Sequence, residues 1–340
     1  MSDPVALFRT AAAARATLLS PTHDGAVRLF NGYTEGFPGL AVELYGKTLV
    51  IHDATGPKGD RALVDALTAA ALEAYPFLTA VLWKQREASA PEARNGTVVH
   101  GTESALCRKV KEDGTWYATR LTLNRDTSLY LDTRPLRAWA KVHLAGKSVL
   151  NAFAYTGSLG VAARAAPAAH VVHTDLNKPF LTVAKDSYAL NGWPVARADF
   201  IVGDIFDVVG RLKREGRLFD CVFVDPPFFS VTPQGRVDLE ADMLRLLNKL
   251  RPLVAHDGWL VAINNGVFVS GAAYQQTLDA VCADGYATLE TLIPAPLDFV
   301  GTDATRQGTL PVDPSPFNHS TKMAVLKVTR KDGRAATSAA

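Results

Sequence analysis

The chain has 340 residues, 48% of them hydrophobic, a mean hydropathy of +0.04 and a formal net charge of +2, which suits a soluble globular protein with room for two cored domains. No run of 18 or more apolar residues is present, which excludes a membrane helix, and MSDPVALFRTAAAARATLLS lacks the basic start, apolar core and cleavage site of a secretory leader. Cysteine occurs at 107, 221 and 282 only, which excludes a disulfide framework and fits a reducing cytoplasm, while no His/Cys/Asp spacing suggests a metal site.

Up to about Ser20 the chain is alanine-rich and reads as helix or loose chain. Val27–Phe30 reads as a strand, NGYTEGFPGL as a turn-dense loop, and LAVELYG with KTLVIHDA as a hairpin about Gly46. Asp60–Tyr75 has helical periodicity through Leu63, Val64, Leu67, Ala70, Ala71 and Ala74. Leu78–Trp83 reads as a strand. These elements make residues 1–115 a small α+β domain. Trp116–Leu131 reads as a second hairpin with Asn124 near its turn, and Thr133–His143 as a helix, so 116–147 joins this domain to the next. Residues up to Ala140 carry 16 basic and 15 acidic side chains. Neither half is therefore a basic module, and any nucleic-acid contact must come from local patches such as Arg108, Lys109 and Lys111 or Arg211, Lys213, Arg214 and Arg217. Both patches read equally as solvated faces.

From Ser148 to about residue 330, strand and helix alternate, which implies a mainly parallel sheet covered on both faces. Helices are expected at Ser158–Ala165, Lys178–Asn191, Asp204–Glu215 and Leu239–Leu253, and later strands at Trp259–Asn264, Ala287–Ile293 and Met323–Val328. RKDGRAATSAA, largely residues 331–340, reads as a frayed polar tail. In VLNAFAYTGSLG a buried strand runs into a tight turn and a helix start, and Gly157 and Gly160 are expected to let the backbone approach a bulky ligand. The phosphate loop GxxxxGK[ST] and the dinucleotide pattern GxGxxG are both absent. The next strand, HVVHTDLN, ends in Asp175, an acceptor for two ribose hydroxyls or a cap of the following helix. ADFIVGDIFD ends in Asp204, an acceptor for an adenine amino group or another helix cap, with the Ile205 N–H placed for adenine N1. The series describes an adenosine pocket without phosphates. Thr156 and Gly157 would lie along the rest of such a ligand, and Phe153 or Tyr155 would line it or pack.

FDCVFVDPPFFS is the sharpest feature. Pro226 and Pro227 directly after a buried strand cannot extend the ladder and fix a rigid turn beside Asp225, while Phe228 or Phe229 offers a ring on which a base can stack. Cytosine C5 needs a cysteine thiolate, and none follows the prolines or sits in INNGVF, while Cys221 lies inside the strand. An exocyclic amino nitrogen needs acceptors, which Asp225 and the Pro226 carbonyl would supply. Guanine N7 has a free in-plane lone pair and needs only alignment. On residue chemistry alone the last two stay open. His319 in PFNHSTK reads as structural or base-facing, and His170 and His173 as structural.

The ordered set NAFAYTGSLG, DLN, GDIFD and DPPFF resembles the class I S-adenosylmethionine-dependent methyltransferases. RDTSLYLDTR, FAYTGS, DPPFFS, INN at Ile263–Asn265 and FNGYTEGFPGLAVELYG narrow the resemblance to bacterial 23S ribosomal RNA methyltransferases of the guanine-N7/cytosine-C5 branch, closest to the guanine-N7 members. The resemblance covers about Arg28 to Lys327. It implies a Rossmann-like class I methyltransferase fold, an α/β seven-stranded, mainly parallel sheet over 148–330 with the last strand inserted antiparallel. It further implies S-adenosyl-L-methionine as cofactor, held by Asn151, Phe153, Tyr155, Thr156, Gly157, Asp175, Leu176, Asp204, Ile205 and Asp225. Arg134 of LDTR would face the pocket, or else pair with Asp132 or Asp126, and Asp225, Pro226, Pro227 and Phe228 would carry the chemistry. The implied partner is 23S rRNA, with the small domain helping to grip it, in the cytoplasm and without metal or membrane.

Overall fold

The computed structural model describes residues 3–308 and 319–337. The chain divides into two compact units, Met1–Leu131 with Pro296–Leu310, and Asp132–Ala295 with Pro311–Ala340.

The first unit runs α1 (Pro4–Ala14), β1 (Ala26–Asn31), α2 (Gly32–Glu35), β2 (Leu40–Tyr45), β3 (Thr48–Asp53), α3 (Arg61–Ala74), β4 (Ala80–Gln85), α4 (Pro91–Asn95), β5 (Thr97–His100), β6 (Lys109–Glu112) and β7 (Thr115–Ala118). The first five strands form one sheet in sequence order, antiparallel except for β3 and β4, which the α3 crossover makes parallel. Asp60 starts α3 by accepting from the Leu63 N–H at 3.0 Å. The apolar stripe Leu63, Val64, Leu67, Ala70 and Ala71 packs with Phe8, Leu29 and Ile51 in the unit's core.

The expected hairpin at Trp116–Leu131 lies earlier, between β6 and β7. Its turn is Asp113–Gly114, both with left-handed backbone (φ 45° and 80°), the pair that a two-residue turn needs to match strand twist. Residues 119–131 form no strand and are fixed by side chains instead: the Tyr45 hydroxyl donates to Leu129 O (2.9 Å), and the buried Lys84 ammonium donates to the carbonyls of Asn95, Asn124 and Asp126. Burial pulls the Lys84 pKa down to about 7.

The second unit runs α5 (Arg134–His143), β8 (Ser148–Ala152), α6 (Ser158–Ala165), β9 (His170–Asp175), α7 (Lys178–Leu190), β10 (Phe200–Val202), α8 (Ile205–Arg214), β11 (Phe219–Val224), β12 (Phe229–Thr232), β13 (Gly235–Asp238), α9 (Met243–Leu250), β14 (Val254–Asn264), α10 (Gly271–Cys282), β15 (Ala287–Ile293) and β16 (Lys322–Val328). Its seven-stranded sheet has the order β10-β9-β8-β11-β14-β16-β15. As expected, β16 is antiparallel, inserted between β14 and β15, and the other strands are parallel to one another. Alternate residues feed two cores. Leu150, Val222, Val224 and Leu260 pack with Val208, Leu247 and Leu278 on one face, and Val149, Phe223 and Val261 pack with Leu136, Leu159 and Ala163 on the other. Burial on both faces is why these strands read as continuous apolar runs.

Sequence patterning missed α10 and the β12–β13 hairpin. The chain then returns to the first unit, where α11 (Leu297–Val300) lies against β1: Asn31 Nδ2 donates to Phe299 O at 2.7 Å, and the Arg28 guanidinium sits 3.7 Å over the Phe299 ring. Residues 296–308 thus pack with the small unit although the pattern groups them with 148–330. The tail is pinned rather than frayed as far as it is described, since Arg334 O accepts from the His256 N–H (2.8 Å) and Thr337 N–H donates to Leu218 O (3.1 Å).

Candidate active site

Because β8, β9, β10, β11 and β14 run parallel, their carboxyl ends emerge on one edge of the sheet, where open α/β sheets bind ligands. After β8 the backbone turns left-handed three times in five residues, at Phe153 (φ 55°), Tyr155 (φ 50°) and Gly157 (φ 81°). Each non-glycine residue there costs about 1–3 kcal/mol and persists only where its surroundings impose it. Those surroundings are the neighbouring tip. Ala154 N–H donates to Thr174 O (2.8 Å), and Tyr155 N–H donates to Asp175 Oδ2 (2.8 Å). Asp175 Oδ1 accepts from Asn177 N–H at 2.8 Å. The carboxylate therefore shapes the loop and still has lone pairs free for a vicinal diol. Burial pushes its pKa up, against the pull of the Asn177, Tyr155 and Leu176 amides. Leu176 itself is exposed at the tip, and Thr156 is buried in the loop.

The glycines of this turn are required by packing. A Cβ at Gly160 would stand 2.3 Å from His173 Cε1, and one at Gly157 would stand 2.5 Å from Ala184 Cβ. His173 is fully buried, its ring stacked on Phe200 at 4.9 Å, and burial lowers its pKa to about 3. It is neutral. Asn151 Nδ2 donates to its Nδ1 (3.4 Å), leaving Nε2–H to donate to the Tyr188 hydroxyl at 3.1 Å. Asn151, expected at the ligand, contacts His173 through its Nδ2. Gly160→Ala is expected to destabilise the chain by about 1–3 kcal/mol through overpacking while leaving ligand affinity unchanged well below the melting temperature. Urea unfolding beside calorimetry checks this, and an affinity loss without a stability loss would restore the ligand-approach reading.

Asp204 caps α8, accepting from Phe206 N–H at 2.8 Å, so one of its oxygens is occupied. Gly203 N–H ties the β10 exit to Asp175 O at 3.0 Å. Ile205, first residue of α8, has an N–H that its own helix does not use. Both remain at the tips where an adenine would lie.

Asp225 follows β11. Among the described residues no hydrogen-bond donor reaches its carboxylate, and desolvation, reinforced by the Asp132 charge, raises its pKa to about 7. Asp132 in turn accepts from the Thr321 hydroxyl. Pro226 is buried, Pro227 exposed and Phe228 half-buried. Pro226 O, expected as a free acceptor, takes a long contact from Asn265 Nδ2 at 3.4 Å. The next tip supports the turn, with Asn264 Oδ1 accepting from Gly266 N–H (2.9 Å) and the buried Lys322 ammonium donating to Gly266 O (3.1 Å). Sequence reasoning had not assigned Asp132, Asn264, Asn265, Thr321 or Lys322 to this neighbourhood; INN at a strand end was the available signal. Arg134 opens α5, half-buried, two residues after Asp132. His319 Nδ1 accepts from Thr321 N–H at 3.1 Å, a structural turn.

The tips combine the Asp175 carboxylate, with acceptor capacity left over, the Asp204 carboxylate, with one oxygen committed to its helix, and an Asp225 carboxylate that no donor among the described residues reaches, three residues before Phe228. Among the described residues no cluster of His, Cys, Asp or Glu has metal-site geometry, and no helix is long and apolar enough to cross a membrane. The donor set fits S-adenosylmethionine, since Asp175 retains acceptor capacity for a ribose diol.

The chain is similar to known methyltransferases. The family model described as S-adenosylmethionine-dependent methyltransferase matches residues 60–301. Ribosomal RNA large subunit methyltransferase I of Aliivibrio fischeri strain MJ11 is 26% identical over 275 residues, covering 77% of this chain and 66% of that protein. Ribosomal RNA large subunit methyltransferase K/L of Psychrobacter arcticus is 37% identical over 159 residues, covering 46% of this chain but 20% of that protein. The chain thus spans two thirds or less of these relatives' lengths. In the solved structures, SMU.776 complexed with SAH superposes with a TM-score of 0.80 at 21% identity, over 95% of this chain and 80% of that one. The Methanocaldococcus jannaschii tRNA m1G37 methyltransferase gives 0.56 at 12%, over 96% and 80%. At such identities the likeness is one of fold.

Proposed function

Since the chain belongs to the S-adenosylmethionine-dependent methyltransferase family, we propose that it methylates a base of large-subunit ribosomal RNA in the cytoplasm, with guanine N7 as the acceptor. The observation that carries the base-methylating reading is the Asp225 carboxyl, which no donor among the described residues reaches, on a proline-stiffened turn that continues into Phe228. The names of the relatives support the RNA class.

The cofactor supplies an electrophilic methyl group. Asp175, Asp204 and the 153–157 loop hold and orient it, and Phe228 holds the extruded base by stacking. The ionised Asp225 would accept from the guanine N1–H and amino edge, which would align N7 and favour the cationic purine formed as the N7 lone pair takes the methyl and the methyl–sulfur bond breaks, its electron pair leaving with the neutral thioether. Covalent C5 chemistry is disfavoured by the cysteines' settings: Cys221 is fully buried in β11, and burial pushes the thiol pKa up at Cys107, Cys221 and Cys282 alike. An exocyclic amino nitrogen is the second reading, because the same carboxylate could take its proton.

The experiment is nucleoside mass spectrometry of 23S rRNA from a strain lacking the gene. Loss of 7-methylguanosine at one site supports the proposal, loss of an N-methylated amino base moves the acceptor, and an unchanged set of rRNA modifications overturns the rRNA reading. The Asp225 carboxyl must be ionised to accept, so the rate is expected to rise with pH through about 7. Removing the neighbouring like charge in Asp132→Asn is expected to move that rise to lower pH. Single-turnover rates between pH 5.5 and 8.5 check this, and a flat profile would remove the titration of Asp225 from the chemistry.

A further inference from the structure

Four apolar side chains stand in solvent at two neighbouring strand exits of the second unit. Phe229 (55% exposed) and Val231 (66%) follow β11, and Val267 (76%) and Phe268 (81%) follow β14. Since β11 and β14 are adjacent and parallel, with Val224 beside Ala262, both exits leave the same edge about one strand spacing apart. Elsewhere in this unit large rings such as Phe219, Phe223 and Tyr274 are buried to 1% exposure or less. Leaving these four in water forgoes what burial would return.

The local geometry holds them there. Gly266 lies so close to Phe228 that a Cβ would stand 3.0 Å from its ring. Its N–H and C=O are taken by Asn264 and Lys322, so Val267 and Phe268 leave from a fixed point. The Phe268 ring stands 6.3 Å from Phe228, tilted by 61°. In the β12–β13 ribbon, Phe229 faces Asp238 and Val231 faces Arg236 across the strands. Directly paired residues share a face, so Arg236, half-exposed and bonded to Asp242 at 3.0 Å, lies beside the two apolar side chains.

We propose that Phe229, Val231, Val267 and Phe268 form a stacking surface for unpaired RNA nucleotides flanking the base held at Phe228, with Arg236 beside their phosphates. This rests on the RNA reading above. The occupant follows from the chemistry. Aromatic faces with an adjacent guanidinium suit bases turned outward and the backbone that carries them. A duplex hides its base faces and offers phosphates, which these four side chains cannot contact favourably.

The test compares the full-length protein with Phe268→Ala and Phe229→Ala, both at exposed positions. Filter binding uses deproteinised 23S rRNA, a twelve-nucleotide single-stranded oligoadenylate and a duplex of equal length, each across a salt series. Each variant is expected to lose roughly 5- to 100-fold in affinity for the single-stranded probe and the rRNA. The duplex affinity, the slope of log affinity against log salt and the S-adenosylmethionine affinity should stay unchanged, whereas Arg236→Gln should flatten the slope. Wild-type RNA affinity in the Phe variants overturns the stacking surface alone. Equal losses on duplex and single strand, or a self-association that Phe268→Ala abolishes without changing RNA binding, would also overturn it. If the wild-type protein binds none of the three probes, the RNA reading falls and this surface falls with it.

Discussion

Asp225→Ala is expected to lower methyl transfer by about 100- to 1,000-fold, the scale of losing one preorganised electrostatic partner of the transition state, with S-adenosylmethionine affinity changed by less than about twofold. On the proposed reading the carboxyl would touch the methyl acceptor, while the cofactor would be held chiefly by the other tips. A second readout separates this loss from misfolding. In the folded chain Asp225 titrates near about 7 against an ordinary 3.8. The folded state therefore holds this proton more tightly than the unfolded state does. Its contribution to stability is most favourable at low pH and is lost as pH rises between those two values. Removing the carboxyl should accordingly leave the melting temperature at pH 8 unchanged or raise it. A variant that is inactive and equally or more stable, with normal calorimetric cofactor binding, is the expected result. Activity close to wild type would remove Asp225 from the reaction.

Asp175→Ala is expected to weaken S-adenosylmethionine binding by about 100-fold or more. Two effects act together. The ribose loses charge-assisted hydrogen bonds worth about 1.5–3 kcal/mol each. The Tyr155 and Asn177 amides also lose their acceptor, so the left-handed turns at Phe153 and Tyr155 lose an interaction that imposes them. Asp175→Asn separates the two: its amide oxygen can still take the Tyr155 N–H, so it should bind better than alanine and worse than the native carboxylate. Titration calorimetry on the three proteins checks the order, and equal affinities would leave the ribose without this partner.

Much of the second unit was legible beforehand because its signals are local. Runs such as VVHTD and CVFVD are apolar on both faces only when helices cover both sides of a sheet, and the alternation with helical segments implied a mainly parallel sheet, while the antiparallel insertion of Lys322–Val328 was implied by the family resemblance alone. Where expectation failed, a local signal was outranked or overlooked. Asp113–Gly114 marked the hairpin that was placed a few residues later. The Gly160 spacing suggested a ligand, and no local signal marked the histidine ring from the next strand that also requires a glycine there.

Sequence by itself determined the succession of strand ends that carry Asp175, Asp204 and Asp225, and the stiffness of the turn after the last of them, since both follow from periodicity and from proline's missing N–H. Only the tertiary structure decided which groups meet there. Asp132 and Thr321, 189 residues apart, are joined by a hydrogen bond, and Asp132 bears on an Asp225 that no donor among the described residues reaches. Charge state, desolvation and solvent exposure depend on neighbours brought together through space, and no spacing along the chain encodes them.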